Sequence, residues 1–171
     1  MTELEAFRQA KDNFFRTGPG SPLTLEQMKN FRGLSYFSEN PRLRFELPLE
    51  KYLNPERIQM QTSTGVVQDY LKVGQVKFQV NGEAAALQVY ESVDHPGSYF
   101  ILFVDATAPG ESYGAGQYME PEETHAGELM IDFNLAYNPY CAFNDRWSCP
   151  IPPPENRLRV RIEAGEEKFH E

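Results

Sequence analysis

The sequence predicts a mainly β fold, in which an antiparallel meander forms a barrel or a strongly curved sheet, with one or two N-terminal helices. Two observations support this class. Apolar residues recur at helical spacing near the N-terminus but alternate with polar ones beyond residue 57. The alternating segments follow one another across short turns with no helical pattern between them, which excludes a doubly wound α/β fold. We expect a single domain over residues 1–171, in which a helical segment at 1–35 packs on a meander at 43–165.

Two helices are predicted in the N-terminal segment. The first covers residues 3–16, and the glycines and prolines at 18–22 end it. Its apolar side chains, which recur at helical spacing, are Leu4, Phe7, Phe14 and Phe15. The second helix begins after Thr24, which forms a capping box with Gln27 three residues later. We expect this helix to end at Gly33.

The remaining chain contains seven or eight predicted strands. They cover residues 43–47, 58–62, 66–73, 76–80, 84–90, 99–104, 129–133 and 158–162. We expect a tight turn at Gly74-Gln75. We also expect a type I′ hairpin turn at Asn81-Gly82, because both central positions of that turn need a positive φ. A meander of this size exposes its edges unless it closes or splits into two layers, so a two-sheet sandwich is the alternative to the barrel.

Negative charge is concentrated in the second half of the chain. The formal net charge is −9, and residues 78–145 contain 11 acids and no Lys or Arg. This composition argues against nucleic-acid binding, which depends on basic side chains that neutralise phosphates. One interpretation of the acidic stretch is a solvated surface. The alternative is that a few of these acids line a pocket for a cation, a metal or a hydroxyl-rich ligand.

The sequence shows no targeting or membrane-spanning segment. Its N-terminus lacks the basic and apolar regions of a signal peptide, and its longest apolar run is far shorter than a spanning helix needs. We therefore expect a cytoplasmic protein without a membrane partner. In that compartment Cys141 and Cys149 are expected to be free thiols, and their spacing matches no common zinc motif. No cofactor or metal is predicted, and the oligomeric state is left open.

The first candidate site segment is residues 103–119, which does not have the pattern of an ordinary strand or loop. Its glycines allow a ligand or another strand to approach the backbone closely. The segment is a weak match to a phosphate-binding loop, because it contains no Lys and no helical pattern follows it. An irregular strand pair with a bulge is the alternative interpretation. Its candidate ligand-binding residues are Asp105, Glu111, Tyr113 and Tyr118.

The second candidate site segment is residues 132–156, which combines amphipathic side chains with a proline-rich stretch. The prolines at 150–154 require an extended backbone, whose polar groups need hydrogen-bond partners. The asparagines of this segment suit that purpose, so one interpretation is a long loop braced across the open end of the barrel. The other interpretation is contact with a ligand. The candidates are Asp132, Asn134, Tyr137, Asn138, Glu155 and Asn156.

Several motifs of the chain are long enough to be specific. The longest are at residues 132–142, 147–153, 155–158 and 162–166. Shorter ones precede them, at residues 11–15, 21–23, 33–37, 62–65, 105–107 and 111–114. In these motifs the chain resembles the DUF1684 family of bacterial and archaeal proteins. The resemblance covers nearly the whole chain and implies no reaction, because the function of that family is not established. One difference is Gln117, where the family tends to have an Arg; if that Arg binds an anion in relatives, this chain lacks the group.

Three functions are compatible with these residues. The leading hypothesis is binding of a small, partly apolar, neutral or cationic molecule at the mouth of the barrel, a preferred place for ligands. A carboxylate- or metal-dependent, hydrolase-like enzyme would require at least two of Glu111, Asp132 and Glu155 to converge in a pocket. A protein-interaction module would use a sheet edge or the acidic loop at 120–128. A Cys–His hydrolase is not indicated, because no His has a Cys close to it in the sequence.

Overall fold

The computed structural model describes residues 1–170, which form two N-terminal helices followed by eight strands. The helices are α1 (Glu3–Thr17) and α2 (Leu25–Asn30). The strands are β1 (Arg44–Leu47), β2 (Glu50–Gln61), β3 (Val67–Val80), β4 (Glu83–Ser92), β5 (Tyr99–Phe103), β6 (Gln117–Met119), β7 (Glu122–Glu123) and β8 (Leu129–Asp132). Short 3-10 helices lie at Pro41–Leu43, Phe133–Leu135, Tyr140–Ala142 and Pro154–Asn156. The predicted mainly β, antiparallel fold with N-terminal helices is confirmed.

Side-chain caps set the starts of both helices. Thr2 and Glu5 form a capping box at α1. At α2 the Thr24 hydroxyl accepts a hydrogen bond from the Gln27 N–H at 3.1 Å, and the Gln27 side chain accepts one from the Thr24 N–H at 3.0 Å. This helix ends after 6 residues, before the predicted end at Gly33. Within residues 1–170, no helix has the length and apolar character needed to cross a membrane.

The larger layer of the fold is a five-stranded antiparallel sheet in the order β2-β3-β4-β5-β6. The predicted turn at Gly74-Gln75 is wrong, because β3 runs through both residues with only a bulge before Gly74. The glycine serves a different purpose, since a Cβ atom at position 74 would lie 2.6 Å from the carbonyl oxygen of Glu50. The predicted turn at Asn81-Gly82 is confirmed, with φ values of 51° and 82°.

The smaller layer is a three-stranded antiparallel sheet in the order β1-β8-β7. Its Leu129 and Ile131 are buried in one apolar cluster with Val76, Leu87 and Ile101 of the larger sheet. The two sheets therefore share a core instead of forming one closed surface. The larger sheet runs from β2 to β6 without pairing between these two strands, so the barrel alternative is not realised.

The predicted strand at 158–162 is not a strand in the structure. This segment runs parallel to the end of β5, and the Leu158 N–H donates to the Val104 carbonyl oxygen at 2.7 Å. The Ile162 N–H then donates to the Asp105 carboxylate at 2.6 Å instead of to a backbone carbonyl. The Ala106 N–H still donates to the Val160 carbonyl oxygen at 2.9 Å, so a buried side chain replaces the backbone as partner only at Ile162, and the pairing ends there.

The outer face of the larger sheet carries a second buried cluster. Side chains alternate between the two faces of a strand, so Leu102 and Tyr118 point away from the shared core. Tyr140 and Trp147, from a long irregular segment, pack against them. Phe15 connects α1 to this segment through an edge-on contact with Tyr140, with ring centres 6.4 Å apart. This packing places α1 beside the outer face of the sheet.

Candidate functional site

An open cleft of about 680 Å³ lies between α1, β6 and the segment 137–149. Aromatic rings dominate its lining, and we call it the aromatic cleft. The rings belong to Phe7, Phe14, Tyr118, Tyr137, Tyr140 and Trp147. Lys11 and Glu120 are its charged residues. The volume is within the ~300–1,000 Å³ usual for small-molecule sites.

Helix α1 forms one wall of the aromatic cleft because its apolar residues lie on two sides of the helix. Leu4 and Phe15 point into the protein and are buried. Phe7 and Phe14 are seven residues apart, which places them on one side of a helix, and both line the cleft. They remain 50% and 40% exposed. This wall is therefore an aromatic surface in contact with solvent.

Two tyrosines form the floor of the cleft. The backbones of Tyr118 and Tyr137 exchange two hydrogen bonds, of 2.9 and 3.0 Å, and their rings meet edge-on with centres 5.9 Å apart. The Tyr118 hydroxyl donates to the Pro150 carbonyl oxygen, and the Tyr137 hydroxyl donates to a Glu120 oxygen at 2.5 Å. Burial raises the pKa of both phenols. Both tyrosines are therefore neutral donors in fixed orientations.

Trp147 forms a further wall of the cleft. Its indole N–H donates to the Pro22 carbonyl oxygen at 2.9 Å, which fixes the plane of the ring. The Tyr140 ring packs against it with centres 5.1 Å apart, and the Arg146 guanidinium lies 4.9 Å from the indole centre. The loop that joins the two helices therefore holds this wall in place.

A buried ion pair lies beneath the cleft. The Lys11 ammonium pairs with the Glu166 carboxylate, which is 2% exposed and also accepts a hydrogen bond from the Asn138 N–H at 3.1 Å. Burial raises the pKa of Glu166, and the Lys11 charge opposes that shift. The Lys11 Nζ atom lies 5.0 Å from the centre of the Tyr137 ring. Because Glu166 neutralises Lys11 from below, the Glu120 carboxylate is the charge in excess at the cleft.

Of the ten predicted ligand-binding residues, Tyr118 and Tyr137 line the aromatic cleft. The three carboxylates that the enzyme hypothesis requires lie apart from it and from one another, and each has its own basic partner. The pairs are Glu111 with Arg161 (2.7 Å), Asp132 with Arg44 (2.9 Å) and Glu155 with Lys72 (3.6 Å). The convergence that a carboxylate enzyme would need is therefore not observed. Among residues 1–170, no group of three or more His, Cys, Asp or Glu side chains is arranged to hold a metal ion.

Four further predicted residues are buried and bound to backbone groups. Burial raises the pKa of Asp105, and its hydrogen bonds, including the one from the Ile162 N–H, oppose the shift. The amides of Asn134 and Asn138 bind the backbone of the segments that pass beside them. Asn156 is fully buried between two strands. Their polar atoms hold irregular backbone in place and do not face the aromatic cleft.

Tyr113, the last predicted residue, lies at a separate small cavity of about 210 Å³. Its hydroxyl is 3.7 Å from the Cys141 sulfur, and burial raises the pKa of this phenol to about 12. Cys141 and Cys149 are both free thiols in the structure, and Cys149 lines the aromatic cleft. The tyrosine thus contacts the cysteine that lies next to the cleft.

Most of the cleft was not predicted from the sequence. The spacing of Phe7 and Phe14 predicts a helix, but periodicity alone does not distinguish a core face from a cleft face. Trp147 and Lys11 lie in motifs of the family resemblance, which implies no role for them, and the cleft joins them from segments far apart in the chain. The one signal that could have been used is the excess of apolar residues on α1, which exceeds what a single buried stripe needs.

The comparisons with known proteins agree with the motifs. The family model described as "Protein of unknown function (DUF1684)" matches residues 29–167. A solution NMR structure of an uncharacterised protein from Haloarcula marismortui has 36% sequence identity to this chain and a TM-score of 0.72, and the match covers 96% of this chain and 92% of that one. A search of curated proteins gave no match. Over most of its length, therefore, the chain belongs to the DUF1684 family.

Proposed function

We propose that this protein binds a small, largely apolar molecule, neutral or positively charged, in the aromatic cleft. The observation that carries the proposal is the set of aromatic rings around one open cleft, of which Phe7 and Phe14 remain about half exposed. Covering such rings is favourable, since each Å² of apolar surface removed from water contributes ~25 cal/mol. A flat ligand would make the offset or edge-on contacts that these rings already make with one another.

The charges around the cleft favour neutral and cationic ligands over anionic ones. Glu166 neutralises Lys11, whereas Glu120 accepts only an uncharged donor, the Tyr137 hydroxyl. A cation in the cleft would be attracted both by the Glu120 carboxylate and by the faces of the aromatic rings. An anion would be repelled by Glu120, and its charge would not be attracted by the faces of the rings.

The test uses the fluorescence of Trp147, which is the single Trp of the chain and forms a wall of the cleft. The probes are benzyl alcohol, benzylammonium and benzoate, which are similar in size and differ in charge. We expect a saturable change in emission with the first two. One unit charge about 6 Å away in water is worth roughly threefold in affinity. Benzylammonium should therefore bind about threefold more tightly than benzyl alcohol, and benzoate about threefold more weakly.

Two variants of α1 provide the matched controls. Ala10 lines the cleft and Gln9 does not, although the two are adjacent and exposed. Ala10→Phe fills the cleft and should abolish the saturable change, whereas Gln9→Phe adds the same side chain elsewhere and should bind like the wild type. The proposal fails if no probe gives a saturable change, or if Ala10→Phe binds as well as Gln9→Phe.

A further inference from the structure

The two cysteines of the chain lie next to each other although they are eight positions apart in the sequence. The Cys141 N–H donates to the Cys149 sulfur at 3.3 Å. Cys149 is held in this position by Ser63, since the Cys149 N–H donates to the Ser63 hydroxyl at 3.1 Å and the Ser63 N–H donates to the Cys149 carbonyl oxygen at 2.9 Å. Cys141 is fixed in the 3-10 helix Tyr140–Ala142. The position of the Cys149 sulfur beside the Cys141 residue is therefore built into the packing of this segment against the end of β2.

The two thiols differ in exposure and acidity. Cys149 is buried, whereas Cys141 is partly exposed. The neighbouring Cys149 thiol lowers the pKa of Cys141 to about 6, burial opposes the shift, and the Tyr113 hydroxyl adds to it. The interaction with Cys141, together with burial, raises the pKa of Cys149. The first proton of the pair is thus lost more readily than that of an isolated thiol, and Cys141 is the more exposed of the two residues.

We propose that Cys141 and Cys149 form a redox-active dithiol that low-molecular-weight disulfides oxidise to an intrachain disulfide. This is a modification site distinct from the ligand cleft, although Cys149 contributes to the cleft wall. It does not depend on whether the cleft binds a ligand. The contact between the thiols, the access to Cys141 and the burial of Cys149 define which thiol reacts first.

The reaction has two exchange steps. In the first, the Cys141 thiolate attacks one sulfur of a small disulfide RSSR, the bond between its two sulfurs breaks, and RS⁻ leaves, which gives a mixed disulfide at Cys141. In the second, Cys149 loses its proton and its sulfur attacks the Cys141 sulfur, so that a second RS⁻ leaves. The two released thiolates take up protons. Starting from the Cys141 thiolate, the protein loses two electrons and the proton of Cys149, a second proton comes from solvent, and RSSR is reduced to two RSH.

The order of the steps follows from the environment of each thiol. Cys141 is the attacking group because it is the more exposed residue of the pair and the neighbouring thiol lowers its pKa. Once Cys141 is in a mixed disulfide, it no longer carries the charge that keeps the proton on Cys149. The second thiol then ionises more readily, next to the sulfur that it must attack.

The experiment exposes the full chain to mixtures of reduced and oxidised glutathione, quenches with acid, alkylates free thiols with N-ethylmaleimide and measures intact mass. The wild type should lose two hydrogens and take up no maleimide. Cys149→Ser should instead accumulate a glutathione adduct at Cys141, because the resolving thiol is gone. Cys141→Ser should react roughly tenfold more slowly, because its remaining thiol is buried and protonated. Protein unfolded in urea shows that the reagents are active.

The wild type alone also tests the assignment, which matters if a serine at the buried position prevents folding. Iodoacetamide alkylation of Cys141, followed by peptide mass, should have a pH midpoint near 6 instead of the ordinary value of about 8.5. In Cys149→Ala, which removes the main cause of the shift, the midpoint should rise. Circular dichroism verifies that each variant is folded.

Three results would overturn the proposal. The first is a wild type that keeps two alkylatable thiols in the most oxidising mixture. The second is a wild type that stops at the glutathione adduct, because the two sulfurs would then be too far apart to exchange. The third is an alkylation midpoint near the ordinary value, which would remove Cys141 as the attacking thiol.

Discussion

Replacement of Asn156 by Ala is expected to destabilise the fold strongly, because this amide joins two strands where they stop pairing. β4 and β5 pair at only two positions, and beyond them the Asn156 side chain fills the gap. Its amide nitrogen donates to the carbonyl oxygens of Gln88 and Leu102, at 3.0 and 2.9 Å, and its oxygen accepts from the Gln88 N–H at 2.7 Å. The residue is 0% exposed.

The magnitude follows from these three hydrogen bonds. Ala leaves three backbone groups without their partner in a buried place, and each such group costs ~1–3 kcal/mol. The space left by the amide is large enough and polar enough for a water molecule, which favours the low end of that range. We therefore expect Asn156→Ala to lower the free energy of unfolding by roughly 3–4 kcal/mol.

Replacement of Asn156 by Asp tests the same geometry through pH. The introduced carboxyl keeps the acceptor for the Gln88 N–H but faces two carbonyl oxygens, so burial and these neighbours raise its pKa in the folded state. A raised folded pKa means that the folded protein binds the proton more tightly than the unfolded one. The stability of Asn156→Asp should therefore fall, relative to the wild type, as the pH rises above about 4.

The assay is urea denaturation at pH 5 and pH 7, followed by circular dichroism and by Trp147 fluorescence. The control is Asn30→Ala, since the Asn30 amide is exposed and donates to one carbonyl oxygen of its own helix. This control should change stability by no more than about 0.5 kcal/mol. A loss below about 1 kcal/mol for Asn156→Ala would refute the bridging role, because one satisfied hydrogen bond alone is worth that much.

Three further substitutions have outcomes that the structure specifies. Lys11→Met leaves Glu166 buried without its cation and should cost roughly 3–5 kcal/mol at pH 7. In urea titrations this cost should shrink at lower pH, because the raised pKa of Glu166 lets it bind a proton. Gly116→Ala should lower the melting temperature more than Gly65→Ala: both glycines have positive φ, but only at Gly116 would the Cβ atom meet a carbonyl oxygen, at 2.5 Å. Asp105→Ala should cost roughly 2–4 kcal/mol, since it leaves a buried N–H unpaired, and an unchanged urea midpoint would contradict this.

Local patterns predicted most of the fold. The capping box at Thr24 and the turn at Asn81-Gly82 depend on residues within one turn of the chain, and both occur as predicted. Gly74 shows where local reasoning fails, because its backbone has the conformation of a strand and not of a turn. A glycine is needed there because any Cβ atom would collide with the Glu50 carbonyl oxygen of the adjacent strand. The segment 158–162 alternates like a strand but has a side chain as partner where a ladder would need a backbone. Both differences arise from contacts between distant residues.

The candidate site was less predictable than the fold. Tyr118 and Tyr137 were found because they lie in segments with unusual composition. Asn134, by contrast, was selected for its polar side chain. Its amide binds both the N–H and the carbonyl oxygen of Asn40 and so holds that part of the backbone in place. In irregular segments, polar side chains are often taken up as hydrogen-bond partners of buried backbone N–H and C=O groups, and are then not free to bind a ligand. Phe7 and Phe14 line the cleft because of where α1 packs against the rest of the protein, and the spacing of residues within the helix does not determine that position.

The ion pair between Lys11 and Glu166 has a consequence for how the protein is made. Its two members are 155 residues apart, so Lys11 leaves the ribosome long before the acid that neutralises it has been synthesised. Until then α1 has no buried anion to hold its cleft-facing side against the sheet. The aromatic cleft is therefore completed only after residue 166 has been synthesised, and its formation reports that this residue has folded into place.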